Sequence, residues 1–157
     1  MTEKRRAKPV ERAAARLGAV QALYQMDLSG SDVGETLAQF SSRAAGDDFD
    51  AGQCGEADYK HLREVVDGVV REQKTIDPAV DTLLDKVWPL HRLDSTVRAI
   101  LRAGAYELMF MARVPARVAI SEYVDVADAF FGAEEPRFIN GVLDKLARQK
   151  RPEEFSA

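Results

Sequence analysis

Six basic side chains occur within the first sixteen residues of this 157-residue chain, where only two carboxylates accompany them. The six are Lys4, Arg5, Arg6, Lys8, Arg12 and Arg16. Four of them, beginning with Arg5, follow at steps of three, four and four residues. This spacing places the four in one sector of a helix, opposite its apolar side. Such a row of cations can follow a phosphate backbone, and arginine can also stack on bases. The pattern favours binding of a polyanion; the alternative is an ordinary solvated helix face.

A second candidate contact combines a cation, an aromatic ring and an amide near the C-terminal end. Arg137, Phe138 and Asn140 stand at the start of a predicted helix, whose first turn is exposed. An aromatic ring with polar neighbours suits an unstacked RNA base. Because phenylalanine at helical spacing is more often a core residue, a buried Phe138 is the alternative.

No pattern typical of catalysis or metal binding occurs in the sequence. His61 and His91 lie on different segments, with neither a metal-ligand spacing nor a nucleophile beside them. Cys54 is the only cysteine, which excludes an intramolecular disulfide and a cysteine metal cluster. We therefore expect a protein that is not an enzyme and holds no cofactor or metal ion.

Hydrophobic residues recur at three- and four-residue steps almost throughout, which predicts an all-α, compact bundle of about seven helices. The predicted helices cover 9–28, 33–40, 59–74, 77–88, 94–108, 115–131 and 136–148. Asp77 followed by Pro78 predicts an N-cap and a first helical residue, so we expect a new helix there. Asp94 or Ser95 is the predicted N-cap of the helix after it.

Two further groups have structural explanations. Tyr24 shares the apolar side of the first helix with Leu17 and Val20, so we predict that it lies in the core. Four cations near the end of the last helix favour its dipole, and we predict that they are solvated. These are Lys145, Arg148, Lys150 and Arg151.

The composition predicts one cytoplasmic domain without membrane contact. The length suffices for a single core, no apolar run approaches the ~20 residues of a membrane span, and the N-terminus is not a secretory signal. We expect a basic flexible arm at 1–8, a helical domain over 9–148 with a flexible loop at 46–56, and a tail at 149–157. The net charge of −4 is unevenly distributed, so it does not exclude nucleic-acid binding.

Four segments together resemble the NusB family of bacterial transcription antitermination factors. They are RLGAVQALYQ at 16–25, VRAILRAGAYEL at 97–108, VPARVAISE at 114–122 and RFINGVLDKL at 137–146. The resemblance implies two packed helical subbundles and binding of single-stranded RNA that contains boxA, a segment of ribosomal-operon leaders. It also implies a partner, the ribosomal small-subunit protein NusE, and indirect association with other antitermination factors and RNA polymerase.

The resemblance also assigns residues to two surfaces. The resemblance implies that RNA contacts Arg12, Arg16, Arg137 and Phe138. Family members often carry arginines where this chain has alanines at 13–15, and we expect Arg5, Arg6 and Lys8 to compensate for them. NusE is expected near 94–98 and at the turn 132–135, which places Asp94, Arg98, Glu134 and Glu135 at that contact. Val97 stands where glutamate is common, so any NusE contact through that glutamate is missing here.

Two rival interpretations remain at this stage. The same helical module resembles the N-terminal region of ribosomal-RNA cytosine methyltransferases, which need a strand-rich cofactor domain. We expect no such domain within these 157 residues, because helical patterns fill them. The second rival is a protein scaffold in which the basic arm is incidental. Relatives are monomers or dimers, so a homodimer also stays open.

Overall fold

The computed structural model describes the backbone of residues 9–156 except 47–55, and the side chains of 12–39 and 59–156. Within these ranges the chain forms six α-helices and no strand, which confirms the all-α prediction. The helices are α1 (Pro9–Ser29), α2 (Val33–Gly46), α3 (Glu56–Asp81), α4 (Ser95–Phe110), α5 (Ala116–Phe130) and α6 (Glu134–Lys150). None of these helices is long and apolar enough to cross a membrane. The predicted arm at 1–8 and nearly all of the predicted loop lie outside the described residues.

The described ranges hold six helices, not seven, because α3 continues through Pro78. The N–H of Thr82 still donates to the Pro78 carbonyl at 3.1 Å, so the predicted break at Asp77 is wrong. Asp77 does not cap a helix; it accepts two hydrogen bonds of 3.0 Å from Arg102 of α4. Residues 82–88, which we expected to be helical, form turns and bends.

The central element is α4, which contacts α1, α3, α5 and α6. Among the other helices, α1, α2 and α3 contact one another and α5 contacts α6, which agrees with the two helical groups that the resemblance implies. Two glycines allow close packing of α4. A Cβ on Gly68 of α3 would lie 2.1 Å from the Tyr106 ring, and one on Gly104 would lie 2.9 Å from Leu143 of α6.

Both ends of α4 are capped by side chains. The Asp94 carboxylate accepts hydrogen bonds from the N–H groups of Thr96 and Val97, as predicted. At the other end, Arg151 donates to the carbonyls of Glu107, Leu108 and Met111 at 2.8–2.9 Å. Carbonyls in the last turn of a helix have no partner within it, so Arg151 supplies one. Arg151 is buried, and the prediction that it is solvated is wrong.

The packing fixes the directions of three helices. Arg16 meets Glu107 and Asp27 meets Arg98, so α1 runs antiparallel to α4. Gly104 meets Leu143 and Arg151 reaches the end of α4, so α6 runs parallel to α4. The starts of α4 and α6 and the end of α1 therefore lie at one end of the bundle. The start of α1 lies at the other end.

Candidate nucleic-acid interface

Of the four cations predicted to form a row on the first helix, the structure describes the side chains of Arg12 and Arg16, and these two lie in different environments. Arg12 is exposed, whereas Arg16 is only 1 % exposed. The prediction that Arg16 belongs to an outer basic face is therefore wrong. Arg16 shares a sector of α1 with Ala19 and Leu23, three and seven residues further along, and these are buried. Three other members of the predicted RNA surface lie outside the described residues: Arg5, Arg6 and Lys8.

Arg16 belongs to a buried group of four side chains, the Glu107 cluster. Its guanidinium donates two hydrogen bonds of 2.9 Å to the Glu107 carboxylate. The Tyr123 hydroxyl of α5 donates to the same carboxylate, and His61 Nε2 of α3 lies 3.2 Å from it. Four helices thus meet at one buried acid. Arg16 and Glu107 are 91 residues apart, so local sequence patterns gave no signal for the cluster.

Electrostatics keep the cluster in one protonation pattern. Burial raises the pKa of Glu107, but hydrogen bonds from His61 and Arg16 outweigh burial and bring it to about 2. Burial and the neighbouring carboxylate raise the pKa of Tyr123 well above its ordinary value. The carboxylate is therefore ionised and the phenol protonated at neutral pH. Glu107 is fully buried, so the cluster joins helices within the core.

The start of α6 presents a cation and an aromatic ring on the surface. Arg137 is exposed and Phe138 is 42 % exposed, whereas Val142, one turn later, is buried. This exposure excludes the alternative in which Phe138 is a core residue. Contact of Phe138 with RNA stays a prediction.

Asn140 lies on a different flank of α6 from Phe138. It lines a groove of about 360 Å³ between α5 and α6, together with Ser121 and Arg148. Two residues along a helix correspond to a rotation of about 200°. The structure therefore does not join Phe138 and Asn140 in one local contact.

The residues predicted to face NusE lie at the end of the bundle where α4 and α6 begin. Asp94 caps α4, and Glu134 and Glu135 form the first turn of α6. Arg98 is mostly buried. Its guanidinium donates to Asp27 of α1 at 2.6 and 3.0 Å, and to the carbonyls of His91 and Leu93. Arg98 thus positions the segment before α4.

Tyr24, which we predicted in the core, is 38 % exposed. The buried side of α1 is centred on Ala19 and Leu23, and Tyr24 lies at the edge of that side. A further exposed pair, Val87 and Trp88, lies in the turns between α3 and α4. The sequence gave no sign of their exposure, because both belong to a segment with an apolar helical pattern.

The described residues form a helical domain that exposes Arg12, Arg137 and Phe138 and buries the Glu107 cluster in its core. These features define a small helical binding protein. The chain belongs to the NusB family, whose model matches residues 13–148. This family consists of non-enzymatic antitermination factors.

Curated relatives are similar over nearly their full length. The transcription antitermination protein NusB of Rhodopseudomonas palustris (strain TIE-1) is 52% identical, over 99% of this chain and 90% of the relative. NusB of Mesorhizobium japonicum is also 52% identical, over 91% of this chain and 92% of the relative.

Solved structures share the fold. T. maritima NusB has a TM-score of 0.78 and 26% identity, covering 96% of this chain and 99% of that protein. A crystal structure of the antitermination factors NusB and NusE in complex with double-stranded RNA has a TM-score of 0.75. That match has 26% identity and covers 90% of this chain and 99% of the other.

Proposed function

We propose that this chain is a cytoplasmic transcription antitermination factor that binds boxA RNA of ribosomal RNA operon leaders together with NusE. In this role it supports transcription of ribosomal RNA by RNA polymerase, which it meets within a larger assembly. The observation that carries the proposal is the near full-length likeness to NusB proteins, one of which was solved with NusE and RNA.

The RNA surface has two parts at opposite ends of the bundle. One part is Arg12 with the arm before it, which supplies Arg5, Arg6 and Lys8. The other is Arg137 with Phe138 at the start of α6, beyond which an RNA strand reaches Asn140 in the α5–α6 groove. The antiparallel course of α1 and α6 separates Arg12 from Phe138 by about 20 Å along the bundle axis, at 1.5 Å per residue.

This separation sets the length of stacked RNA that reaches both parts. A stacked strand rises about 3.4 Å per nucleotide along its axis, so about six stacked nucleotides bridge both parts. A trimer should therefore engage one part only. Arg16 takes no direct part in the contact, because its buried guanidinium donates to Glu107 along one edge and its remaining terminal nitrogen lies 3.4 Å from the Glu122 carboxylate.

The NusE surface lies at the end of the bundle that carries the start of α4. Asp94, Glu134 and Glu135 present carboxylates there, and Arg98 holds the segment that leads into α4. Phe138 lies one helical turn beyond Glu134 on α6, so the RNA and NusE surfaces adjoin. Two ligands on adjoining surfaces are expected to affect each other's affinity.

A salt titration tests the RNA part of the proposal. If about four basic side chains neutralise phosphates, log K against log salt should fall with a slope of roughly −3 on single-stranded RNA. Arg12→Ala should flatten the slope by about 0.7 without unfolding the protein. Arg63→Ala is the matched control, since Arg63 is an exposed arginine of α3 outside both surfaces. A slope near zero for the parent protein would end the RNA proposal.

The partner part is tested by a binding cycle with boxA RNA, scrambled RNA and NusE. We expect tighter boxA binding in the presence of NusE and tighter NusE binding in the presence of boxA, by about 1 to 3 kcal/mol. Measurements with double-stranded RNA decide which form is preferred. Equal affinities in both arms of the cycle would show that the RNA and NusE surfaces function independently.

A further inference from the structure

The groove between α5 and α6 carries polar groups along both of its sides. Each helix supplies three of them, at four-residue steps: Arg117, Ser121 and Asp125 from α5, and Asn140, Asp144 and Arg148 from α6. Ile120, which is buried, and Val124, which is partly buried, add an apolar surface. A groove of about 360 Å³ with an apolar surface and a few polar groups has the size and lining of a small-molecule site.

The order of these groups follows from the antiparallel course of the two helices. Only three residues, 131–133, join α5 to α6. Just after α6, the Glu154 carboxylate accepts the N–H of Ala116, the first residue of α5, at 2.9 Å. The first and last pairs of groups across the groove are about 12 Å apart, at 1.5 Å per residue. In order, the pairs are Arg117 with Arg148, Ser121 with Asp144, and Asp125 with Asn140.

One aromatic ring of the C-terminal segment holds the arginine pair in place. The Cζ atoms of Arg117 and Arg148 lie 5.6 and 4.6 Å from the centre of the Phe155 ring, which is within the range of a cation–π contact. Asp144 also accepts a hydrogen bond of 2.9 Å from Arg148 Nε, a bond that does not use the terminal nitrogens of Arg148. Two guanidiniums held at one end of a groove suit a phosphate group, which accepts from each of them.

The opposite end of the groove suits the edge of a nucleobase. A carboxylate such as that of Asp125 only accepts hydrogen bonds, whereas the Asn140 amide both donates and accepts. Guanine offers two adjacent N–H donors to a carboxylate, and its O6 accepts from an amide. Between the two ends, Ser121 and Asp144 present oxygens that accept from ribose hydroxyls.

We propose that the α5–α6 groove binds a free guanine ribonucleotide, with its phosphate at the arginine pair and its base at Asp125 and Asn140. A strand of RNA along the groove is the less favourable occupant, because Asp125 and Asp144 repel the phosphates of a continuous backbone. The proposal depends on neither RNA nor NusE binding. It shares one residue, Asn140, with the proposed RNA surface.

Calorimetric titration of the full chain with guanosine monophosphate and with guanosine tests the site. Arg117→Met should weaken binding of the monophosphate about 10-fold or more, as expected for a charge-assisted hydrogen bond, and leave guanosine binding unchanged. Asp125→Ala should weaken both ligands by the same factor, because both carry the base. Arg63→Met, at an exposed arginine of α3, is the matched control and should change neither. The three replaced side chains are exposed, so melting temperatures should stay as in the parent.

The alternatives give different results. Inorganic phosphate that binds as tightly as guanosine monophosphate would reduce the site to an anion contact and overturn the proposal. Equal affinities for guanosine and uridine monophosphates would overturn the assignment of the base, since uracil offers one such donor where guanine offers two. If the monophosphate does not bind, while the affinity of an RNA hexamer falls in Arg117→Met, the groove belongs to the RNA surface. If the monophosphate does not bind and RNA and NusE bind normally to parent and variant, this proposal is wrong and the proposed function stands.

Discussion

Arg16 of α1 and Glu107 of α4 form a buried, bidentate ion pair with two hydrogen bonds of 2.9 Å. His61 and Tyr123 complete the contacts of the carboxylate, so a single acid joins four helices. The pair fixes the antiparallel course of α1 along α4. This course places Arg12 and the basic arm at one end of the bundle and the start of α6 at the other. The two proposed parts of the RNA surface thus depend on a contact that RNA does not touch.

Loss of this ion pair is expected to destabilise the protein. Arg16→Met leaves a buried carboxylate without its main partner, and removal of one member of a buried pair costs about 3 to 5 kcal/mol. Chemical denaturation measures this change in the free energy of unfolding. Arg12→Met is the matched control, because Arg12 is exposed; it should weaken RNA binding and leave stability unchanged. If Arg16→Met is as stable as the parent but binds RNA poorly, Arg16 is an RNA contact after all.

Glu107 should also give the stability a characteristic acid dependence. Its pKa is about 2 in the folded protein, below the ordinary value of 4.5, so the folded state favours the ionised carboxylate. Stabilisation is therefore complete above about pH 5 and is lost as the pH falls towards 2, by roughly 3 kcal/mol in all. The free energy of unfolding of Glu107→Gln should be lower than that of the parent near neutral pH. The difference between the two should shrink in acid, and a difference independent of pH would contradict this assignment.

Helical periodicity was sufficient to predict elements whose buried sides are apolar. The cap at Asp94 and the buried position of Val142 followed from local spacing alone. The same approach was wrong for Arg16 and Arg151, because the groups that satisfy them lie 91 and about 40 residues away. Burial of a cation depends on a partner that the local sequence does not display.

Local signals were also overridden by tertiary packing at Asp77 and Pro78. The pair has the pattern of a helix start, but Asp77 binds Arg102 and α3 continues past the proline. The surfaces were predicted in part. The exposure of Phe138 followed from its place at a helix start, whereas the exposure of Trp88 was not predicted, because α3 ends before the segment that carries it.

Arg151 makes the residues after α6 part of the packed domain, so shortening the chain should be costly. Arg151→Met removes the donor of the Leu108 and Val114 carbonyls, whereas the carbonyls of Glu107 and Met111 keep backbone N–H donors. Each buried group left unsatisfied costs about 1 to 3 kcal/mol. Arg148→Met is the control, because Arg148 is exposed and pairs with Asp144 on its own helix. A thermal melt should show a much lower melting temperature for Arg151→Met and little change for Arg148→Met. Equal melting temperatures would mean that water replaces the guanidinium without cost.

The start of α6 offers the sharpest separation of binding from stability. Phe138→Ala removes a half-exposed ring and should cost about 1 to 3 kcal/mol of RNA binding with little change in melting temperature. Val142→Ala, one turn later, removes buried methyl groups and should lower stability by about 1 to 3 kcal/mol while the folded fraction binds RNA normally. Asn140 lies on the opposite flank of the helix, so losses in binding from Phe138→Ala and Asn140→Ala should add in the double variant. A large fall in melting temperature for Phe138→Ala, with normal RNA affinity, would show that the ring stabilises the fold and does not bind RNA.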